Sequence, residues 1–521
     1  MPAKKHKGFF ILEEVPSAPP YIFVLADAHL LNPYFKNTHK LKVNTGDSFS
    51  IFENYTFKIC HNLNSLRRCA QGIFDKIMAD PQWGIRMDDR ILKTARAYMD
   101  YSKKLYQSDI QTMSNNQLFR VSEQWFYKYF RDSWMSGWPA VLVDFERNLF
   151  SNHLLNYLKS KIKEKNYPES VGDIFSVLTT PLEESFAQKE SASILKLLAK
   201  VKKERKIVKL ITSFDSRHVA EKWRGIDIAT WRAFEKHFES YRWLPFMYTG
   251  PAWGREYFIE SLAGLLHQRV NPEKELKRGR KKRQKTAHLQ KRYAKDLHIH
   301  GEYGVLFDIA RRFVFSKGFR KDAMYYSCYV LNFLLEEIAR RTYLSLKQVH
   351  HAYPWEIKNL LARRGPSADV LNERAKFAIM FSTTKSRKNL EGKEARAFLR
   401  QMRFVKQKQA RPREVLGDCA CAGKARGIAR IINTPKDMDK MKENNILISY
   451  ATSPDIVPAI KKASAIVTDL GGITCHAAII SRELRIPCVV GTKSASTTFA
   501  DGDIVEVDAN HGIARLIKKA K

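Results

Sequence analysis

The chain has 521 residues, of which 44% are hydrophobic, and its 90 Lys and Arg against 54 Asp and Glu give a formal net charge of +36. This length and apolar fraction predict a globular protein of about three domains; no apolar run reaches the ~18 residues of a membrane-spanning helix, and the run Phe9–Leu12 is too short for a signal-peptide core. The seven cysteines form no CxxC pair, which favours a reduced, cytoplasmic setting.

The positive charge is unevenly distributed. From Glu414 onward, 15 Lys and Arg stand against 12 Asp and Glu, so +33 of the net charge belongs to the residues before Glu414. An excess of this size attracts anions, which include nucleic acids, nucleotides, phosphorylated substrates and acidic partner subunits. A lysine-rich proteome would produce the same composition.

Residues 1–60 are predicted to be a mixed segment of extended runs and turns, because strand-like Phe9–Leu12 and Tyr21–Leu25 are separated by prolines. Residues 61–407 are predicted to form a mostly helical domain. Two stretches, Leu118–Phe130 and Ala323–Arg341, have apolar and aromatic residues at helical spacing, and Lys189–Val208 is rich in Leu, Ala and Lys. We expect these aromatic stripes to pack in the core rather than to bind a ligand.

Two features of the helical region are candidate binding sites. The stretch Lys274–Lys285 is nearly all basic, which predicts a mobile loop or an exposed helix end. Phosphate binding is the alternative, but aromatic residues do not alternate with the charges as they do in single-strand stacking surfaces, so nucleic acid is not favoured. The pairs His298–His300 and His350–His351 lack a second cluster at metal-site spacing, and no metal site is predicted.

A domain boundary is predicted near residue 410. After an extended run at Phe377–Ser382 and a helix from about Gly392, residues 408–414 predict a hinge linker, with Pro412 as its break. Residues 415–521 then predict a separate domain, in which Gly417, Gly423 and Gly427 mark tight turns between strands.

The most informative stretch lies in this last domain. Ala463–Val467 predicts a buried strand and Ala477–Leu484 a helix. The turn between them contains Gly471 and Gly472, and Thr474 is predicted to be the helix N-cap. Free backbone N–H groups and the positive end of the helix dipole make such a turn an anion site.

His476 falls in the first turn of this predicted helix. A helix N-terminus disfavours the charged imidazolium, so the ring is expected to be neutral and nucleophilic. A phosphoryl group on the ring nitrogen would lie among N–H donors that stabilise it. The alternative is a structural histidine at the start of an ordinary helix.

The segment Gly471–Arg482, with the sequence GGITCHAAIISR, resembles the phosphohistidine signature of the phosphoenolpyruvate-utilising enzymes. This family includes phosphoenolpyruvate synthase, pyruvate phosphate dikinase, the first enzyme of the sugar phosphotransferase system and rifampicin phosphotransferase. The flanks Ile446–Asp455, Arg485–Thr492 and Asp501–Asp508 fit it too. The resemblance implies an α+β protein, with a compact β/β/α swivelling domain at 415–521 behind a large, mostly helical region at 61–407.

The resemblance also implies a role for each signature residue. His476 would be the catalytic residue, which takes a phosphoryl group at one site and delivers it at another. Gly471 and Gly472 would let the backbone approach the phosphate, and Thr474 and Arg482 would support it. In the dikinases and the synthase the threonine corresponding to Thr474 is a regulatory phosphorylation site, which makes Thr474 a candidate for the same modification.

Full-length members of this family also have an ATP-grasp domain and a phosphoenolpyruvate-binding barrel. The chain stops at Lys521 and shows no glycine-rich nucleotide loop or Mg²⁺ carboxylate set, so neither domain is expected within it. No cofactor is assigned to the chain itself; ATP and Mg²⁺ are expected on a separate ATP-grasp partner.

Weaker similarity to the helical regions that precede the swivelling domain in relatives covers His237–Pro245, followed by Glu256–Phe258, and Phe333–Arg341, followed by Glu356–Ile357. It implies that this region binds a small-molecule acceptor or the partner. The competing hypothesis is a basic nucleic-acid-binding or scaffold protein that retains an inactive carrier domain. Neither hypothesis involves a membrane.

Overall fold

The computed structural model describes residues 7–15, 21, 28–43, 45–54, 56–145, 147–383, 386–405, 413–452, 456–470 and 475–520. Their fold is α+β, as predicted, with a large helical N-terminal region and two mixed sheets. Of the predicted linker 408–414, residues 408–412 lie outside the described ranges, as do residues 22–25 of the predicted strand Tyr21–Leu25. None of the described helices is both long enough and apolar enough to cross a membrane.

Contacts divide the chain into two compact units. The first comprises Met1–Glu183, Phe246–Gly250 and Thr286–Lys408. The second comprises Glu184–Pro245, Pro251–Lys285 and Gln409–Lys521. Helices from the middle of the chain are therefore grouped with its C-terminal sheet.

The first unit contains a six-stranded sheet of order β5-β4-β2-β3-β1-β6. Its strands are β1 (Lys7–Val15), β2 (Ser48–Glu53), β3 (Thr56–Asn62), β4 (Phe377–Ser382), β5 (Arg387–Glu391) and β6 (Arg403–Phe404). The extended run predicted at Phe377–Ser382 is confirmed as β4. Its antiparallel pairing with β2 joins the start of the chain to a distant segment, around a core that includes Phe9, Phe49 and Ile379.

One helix precedes β2, and further helices follow β3 along the chain. They are α1 (Ala28–Thr38, before β2), α2 (Leu63–Ala79), α3 (Pro81–Tyr106), α4 (Asn115–Gln124), α5 (Arg131–Ser136), α6 (Trp138–Leu142), α7 (Leu149–Lys165) and α8 (Val171–Thr179). Asp80 caps α3 by accepting the backbone N–H of Trp83, and Pro81 fills the first helical position. A 3₁₀ turn at Ile110–Thr112 precedes α4, and a π-helical turn at Trp125–Phe130 follows it. The buried Trp125 and Phe130 confirm the core interpretation of this aromatic stripe.

The helices of the second unit surround one apolar core. They are α9 (Phe186–Val201), α10 (Arg205–Ser213), α11 (Ser216–Ile226), α12 (Ile228–Tyr241), α13 (Arg255–His267) and the first half of α14 (Pro272–Asp296). Trp223, Phe234 and Phe258 are fully buried in that core. The stretch Lys189–Val208 spans parts of two helices, because α9 ends at Val201 and α10 begins at Arg205.

The basic stretch Lys274–Lys285 is an ordered part of α14, so the loop prediction is wrong and the exposed-helix alternative is correct. Its basic side chains are mostly exposed. Lys282 nevertheless pairs with Asp418, and Arg283 pairs with Glu184. The positive charge is therefore displayed on a fixed helical surface.

The first unit resumes after α14. Its remaining helices are α15 (Gly301–Thr342), α16 (Leu346–His350), α17 (Ile357–Leu361, after a 3₁₀ turn at Pro354–Glu356), α18 (Ala368–Lys376) and α19 (Gly392–Gln401). Buried His350 lies 3.1 Å from Asn332 Oδ1, and His351 lies 2.8 Å from the Lys347 carbonyl. Across the described ranges, no three His, Cys, Asp or Glu side chains are placed to hold a metal ion.

The C-terminal part of the second unit is an eight-stranded sheet of order β7-β14-β13-β9-β10-β11-β12-β8. Its strands are β7 (Glu414–Leu416), β8 (Asp418–Cys421), β9 (Lys424–Ile431), β10 (Asn445–Ser449), β11 (Ala463–Thr468), β12 (Cys488–Val490), β13 (Ile504–Asp508) and β14 (Ile513–Lys518). A 3₁₀ turn at Pro435–Lys440 and helices α20 (Val457–Ile460), α21 (His476–Leu484) and α22 (Ala495–Thr498) complete it.

The parallel strands of this sheet determine where its loops meet. β9, β10, β11 and β12 are parallel neighbours. The loops that leave the carboxyl ends of β10 and β11 therefore lie at the same edge of the sheet. One face of β11 packs through Ile466 on the cluster that contains Ala477 and Ala478 of α21, which holds the start of that helix against the sheet.

Candidate functional site

His476 is the first residue of α21, which confirms its expected place in the first helical turn. The predicted strand before it is confirmed as β11. The N-cap is Cys475, with an extended backbone (φ −72°, ψ 165°) and no side-chain capping bond, rather than Thr474. Capping preferences in a sequence locate the start of a helix only to within one or two residues, because the boundary depends on the backbone geometry. Gly471, Gly472 and Thr474 lie outside the described residues.

The His476 ring is buried and oriented by a hydrogen bond. Only 7% of the residue is exposed, and its Nδ1 lies 3.1 Å from the hydroxyl oxygen of Thr452. Burial lowers the pKa of His476 from 6.5 to about 4, because a low-dielectric site disfavours the charged imidazolium. The ring is therefore neutral near pH 7.

Thr452 was missed as a site residue by sequence reasoning. It follows β10, and 3% of it is exposed. The sequence contains only an indirect signal for Thr452. It is a polar residue that follows a buried strand, and the next strand along the chain leads to His476. The parallel pairing of β10 with β11 brings the two together.

A second missed residue, Asp469, anchors the loop that leaves β11. Its carboxylate accepts hydrogen bonds from the Thr492 hydroxyl at 3.2 Å and the Ser496 N–H at 3.1 Å, and also from the Ser496 hydroxyl. The next residue, Leu470, donates its N–H to the Tyr450 carbonyl. These bonds fix the path of the chain into the segment before His476.

Arg482 follows His476 on α21 at a spacing that does not place the two residues on the same face of the helix. Its Nε donates to the carbonyl of Ala420 in β8 at 2.8 Å, which ties the helix to the edge of the sheet. Its charge also acts near the histidine. It opposes the rise that burial causes in the pKa of Cys475, which reaches about 11. A contact between Arg482 and a phosphoryl group remains a prediction.

Helix α13 of the same unit covers the histidine. The ring centroid of Tyr257 is 6.1 Å from that of His476, with the planes tilted by 41°. The sequence assigns Tyr257 no role in the site, because this contact depends on how α13 packs on α21.

Residues 441–512, which include His476, match the family model described as "PEP-utilising enzyme, mobile domain". A probable phosphoenolpyruvate synthase of Methanothermobacter thermautotrophicus is 47% identical over 107 residues, which are 20% of this chain and 16% of that protein. A probable phosphoenolpyruvate synthase of Archaeoglobus fulgidus is 52% identical over 103 residues, which are 19% of this chain and 14% of that protein.

The chain spans about one seventh of the length of the two synthases. Among solved structures, the holo-form of Thermococcus kodakaraensis aconitase X matches at 19% identity over 20% of this chain and 98% of the matched one, with a TM-score of 0.17. That score is too low to support a structural argument.

Proposed function

We propose that this chain, whose residues 441–512 match the mobile domain of phosphoenolpyruvate-utilising enzymes, is a phosphotransferase component that carries a phosphoryl group on His476. The observation that carries the proposal is the state of the ring. It is neutral, it lies at the first position of a helix, and Thr452 holds its Nδ1. These are the properties of a nitrogen nucleophile beside an anion site.

In the first half-reaction, His476 attacks a phosphoryl group of the donor in line, and the bond from phosphorus to the donor's leaving oxygen breaks as the N–P bond forms. If Nδ1 keeps its proton and donates it to the Thr452 hydroxyl, Nε2 carries the lone pair that forms the N–P bond. The N–H groups of the first turn of α21 then face the transferred phosphate. Gly471, Gly472 and Thr474 would shape the approach to it, and Arg482 would supply positive charge.

In the second half-reaction, the same phosphoryl group passes to an acceptor. The domain moves on its linker (408–414) between a donor station and an acceptor station, as we infer from the mobile-domain match. The acceptor is a small molecule that bears a hydroxyl or enol oxygen. Phosphorylation of Thr474 would add negative charge beside His476 and block both half-reactions.

The donor is proposed to be ATP, with Mg²⁺, held by an ATP-grasp protein. The synthases that match the C-terminal domain are much longer than the matched region, which leaves room in them for a nucleotide site. For this chain the ATP-grasp partner is an inference from the family alone.

A labelling experiment tests the proposal. The chain is incubated with a candidate ATP-grasp protein and labelled ATP, and label that is stable to base but labile to acid is expected on the wild type. His476→Ala should abolish it, whereas His288→Ala, which removes an exposed histidine of α14, should not. A wild-type chain that stays unlabelled with every ATP-grasp candidate contradicts the proposal.

Nucleic-acid binding is the second candidate function, and the ordered, exposed basic surface of α14 is the observation that favours it. Binding to RNA that weakens steeply with salt and is lost in Arg280→Gln/Lys281→Gln would support it. These two exposed residues have no part in the carrier mechanism, so labelling of His476 should be unchanged in the same variant.

A further inference from the structure

His476 is covered in the arrangement that the structure describes. Only 7% of the residue is exposed, and the ring of Tyr257 on α13 lies against it, with 6.1 Å between the ring centroids. In-line attack requires the phosphorus of a donor to come within about 3–3.5 Å of the ring nitrogen, with the leaving oxygen on its far side. A ring that is nine-tenths buried gives a donor of that size no access. The arrangement therefore protects His476 rather than presenting it.

Two separate apolar cores meet at this contact. Tyr257 belongs to the helical core, the apolar cluster built from helices α9 to α13. Cys475 and Ala477, on either side of His476, belong to the sheet core, the apolar cluster in which α21 packs on β11. No residue that the structure describes is a member of both clusters. Because each body keeps its own core when the contact breaks, the C-terminal domain can leave α13 without unfolding either one.

A surface ion pair joins the same two bodies. Lys282 of α14 pairs with Asp418 of β8, and their side chains are 71% and 33% exposed. The next residue, Arg283, pairs with Glu184 just before α9, and Leu276 packs against the helical core. Helix α14 is therefore fixed to the helical body, and Lys282 ties it to the C-terminal sheet. An exposed pair of this kind contributes little free energy and is screened by salt.

We propose that this arrangement is a closed, autoinhibited state of the carrier, in which Tyr257 covers His476 and the Lys282–Asp418 pair holds the cover in place. The proposal rests on the proposed carrier function of His476 and adds a control on it. Loading requires the pair to break and α21 to leave α13, after which a donor reaches the ring. Both contacts are individually weak, so the closed state opens and closes within the folded chain.

The closed state predicts a response to salt that simple burial does not. Added salt screens the exposed Lys282–Asp418 pair but leaves the helical core and the sheet core intact. Access to His476 is therefore expected to rise with ionic strength. Substitution of either partner should have the same effect at low salt and should remove the dependence on salt. A histidine buried in a rigid core would respond to neither change.

Chemical modification tests the closed state directly, because diethyl pyrocarbonate acylates accessible neutral imidazoles and needs no donor protein. The full chain is treated briefly, and modification of His476 is compared by peptide mass spectrometry with that of exposed His288 in the same sample. Because His476 reacts only after opening, we expect it to be modified about tenfold more slowly than His288 in the wild type at low salt. Equal rates at low salt would overturn the proposal.

Substitutions assign the protection to the named contacts. Lys282→Gln and Asp418→Asn remove the exposed pair, and each is expected to raise the modification of His476 about threefold at low salt. Tyr257→Leu keeps an apolar side chain in the helical core but removes the ring, and should raise it further. Lys277→Gln removes an exposed charge elsewhere on α14 and should behave as the wild type. Exchange of the pair, Lys282→Asp with Asp418→Lys, should restore the wild-type protection.

Loading of His476 by potassium phosphoramidate, a chemical phosphoryl donor, is measured on the same proteins. Faster loading in Lys282→Gln and Asp418→Asn than in the wild type supports the closed state. If no protein accepts phosphate on His476 although diethyl pyrocarbonate reaches it, the proposed carrier function fails and the covered arrangement stands. If the wild type and every variant react with both reagents at equal rates, at low and at high salt, the closed state fails and the carrier function stands.

Discussion

His476 is prepared by two separate effects. Burial keeps the ring neutral, because it lowers the pKa to about 4, and the Thr452 hydroxyl orients the ring through Nδ1. The first effect comes from the packing of α13 on α21 and the second from the loop after β10. A histidine in an unpacked turn would have neither.

Thr452→Val tests the orienting bond. Valine has nearly the shape of threonine but cannot hydrogen-bond, so a buried ring nitrogen loses its partner at a cost of about 1–3 kcal/mol. Loading of His476 with phosphate is expected to slow about tenfold, as measured by the rate of appearance of acid-labile phosphate. Thr452→Ser keeps the hydroxyl and should retain most of the wild-type rate. Equal rates for the valine and serine variants would show that the bond does not matter.

The sequence predicts the strand, turn and helix around His476, but it does not predict which distant residues contact them. The strand, turn and helix around His476 have local signals, namely a short apolar run, two glycines and a helical apolar pattern. The Thr452, Asp469 and Tyr257 contacts have none, because each depends on strand or helix packing between distant segments. For the same reason the sequence does not predict the pairing of β2 with β4, and it does not distinguish a loop from an exposed helix end at Lys274–Lys285.

Close packing in the C-terminal sheet gives a test at the level of one strand. A Cβ added to Gly427 in β9 would lie 2.5 Å from the Asn444 carbonyl oxygen. The position of a Cβ is fixed by the backbone, so the backbone of β9 or of Asn444 would have to shift. Gly427→Ala is therefore expected to lower the free energy of unfolding by roughly 1–3 kcal/mol, as measured by urea denaturation.

Gly225→Ala is the matched control. Its added Cβ meets no atom within 4 Å and lies in helix α11, where alanine is favoured over glycine by up to about 1 kcal/mol. The control should be neutral or stabilising. If Gly427→Ala were as stable as Gly225→Ala, the described path of β9 against Asn444 would be incorrect.

Over the whole molecule, buried neutral histidines couple stability to pH. Among the residues that the structure describes, burial lowers the pKa of five histidines to about 4: His39, His61, His350, His351 and His476. Between pH ~6.5 and ~4 the unfolded chain binds more protons than the folded chain, so the free energy of unfolding falls as the pH falls. Above pH ~6.5 their effect on stability is constant. Buried Asp88, whose pKa burial raises to about 6, acts in the opposite direction.

The expected result is a steep loss of stability below pH ~6.5, with each histidine contributing at most about 1.4 kcal/mol per pH unit. Denaturation by urea at a series of pH values measures it. His61→Phe removes one of the five while keeping a buried aromatic ring against Trp138, and should reduce the slope. A wild-type chain equally stable at pH ~7 and pH ~5 would contradict the account.

The central claim is that His476 carries phosphate on a ring nitrogen. The most direct measurement is to treat the folded chain with a phosphoryl donor, either phosphoramidate or labelled ATP with an ATP-grasp partner, and to locate the product by mass spectrometry and phosphorus NMR. The account predicts one base-stable, acid-labile phosphoramidate on His476, absent from His476→Ala, although the chain has 15 histidines. Phosphate spread over other histidines, or unchanged in His476→Ala, would contradict it.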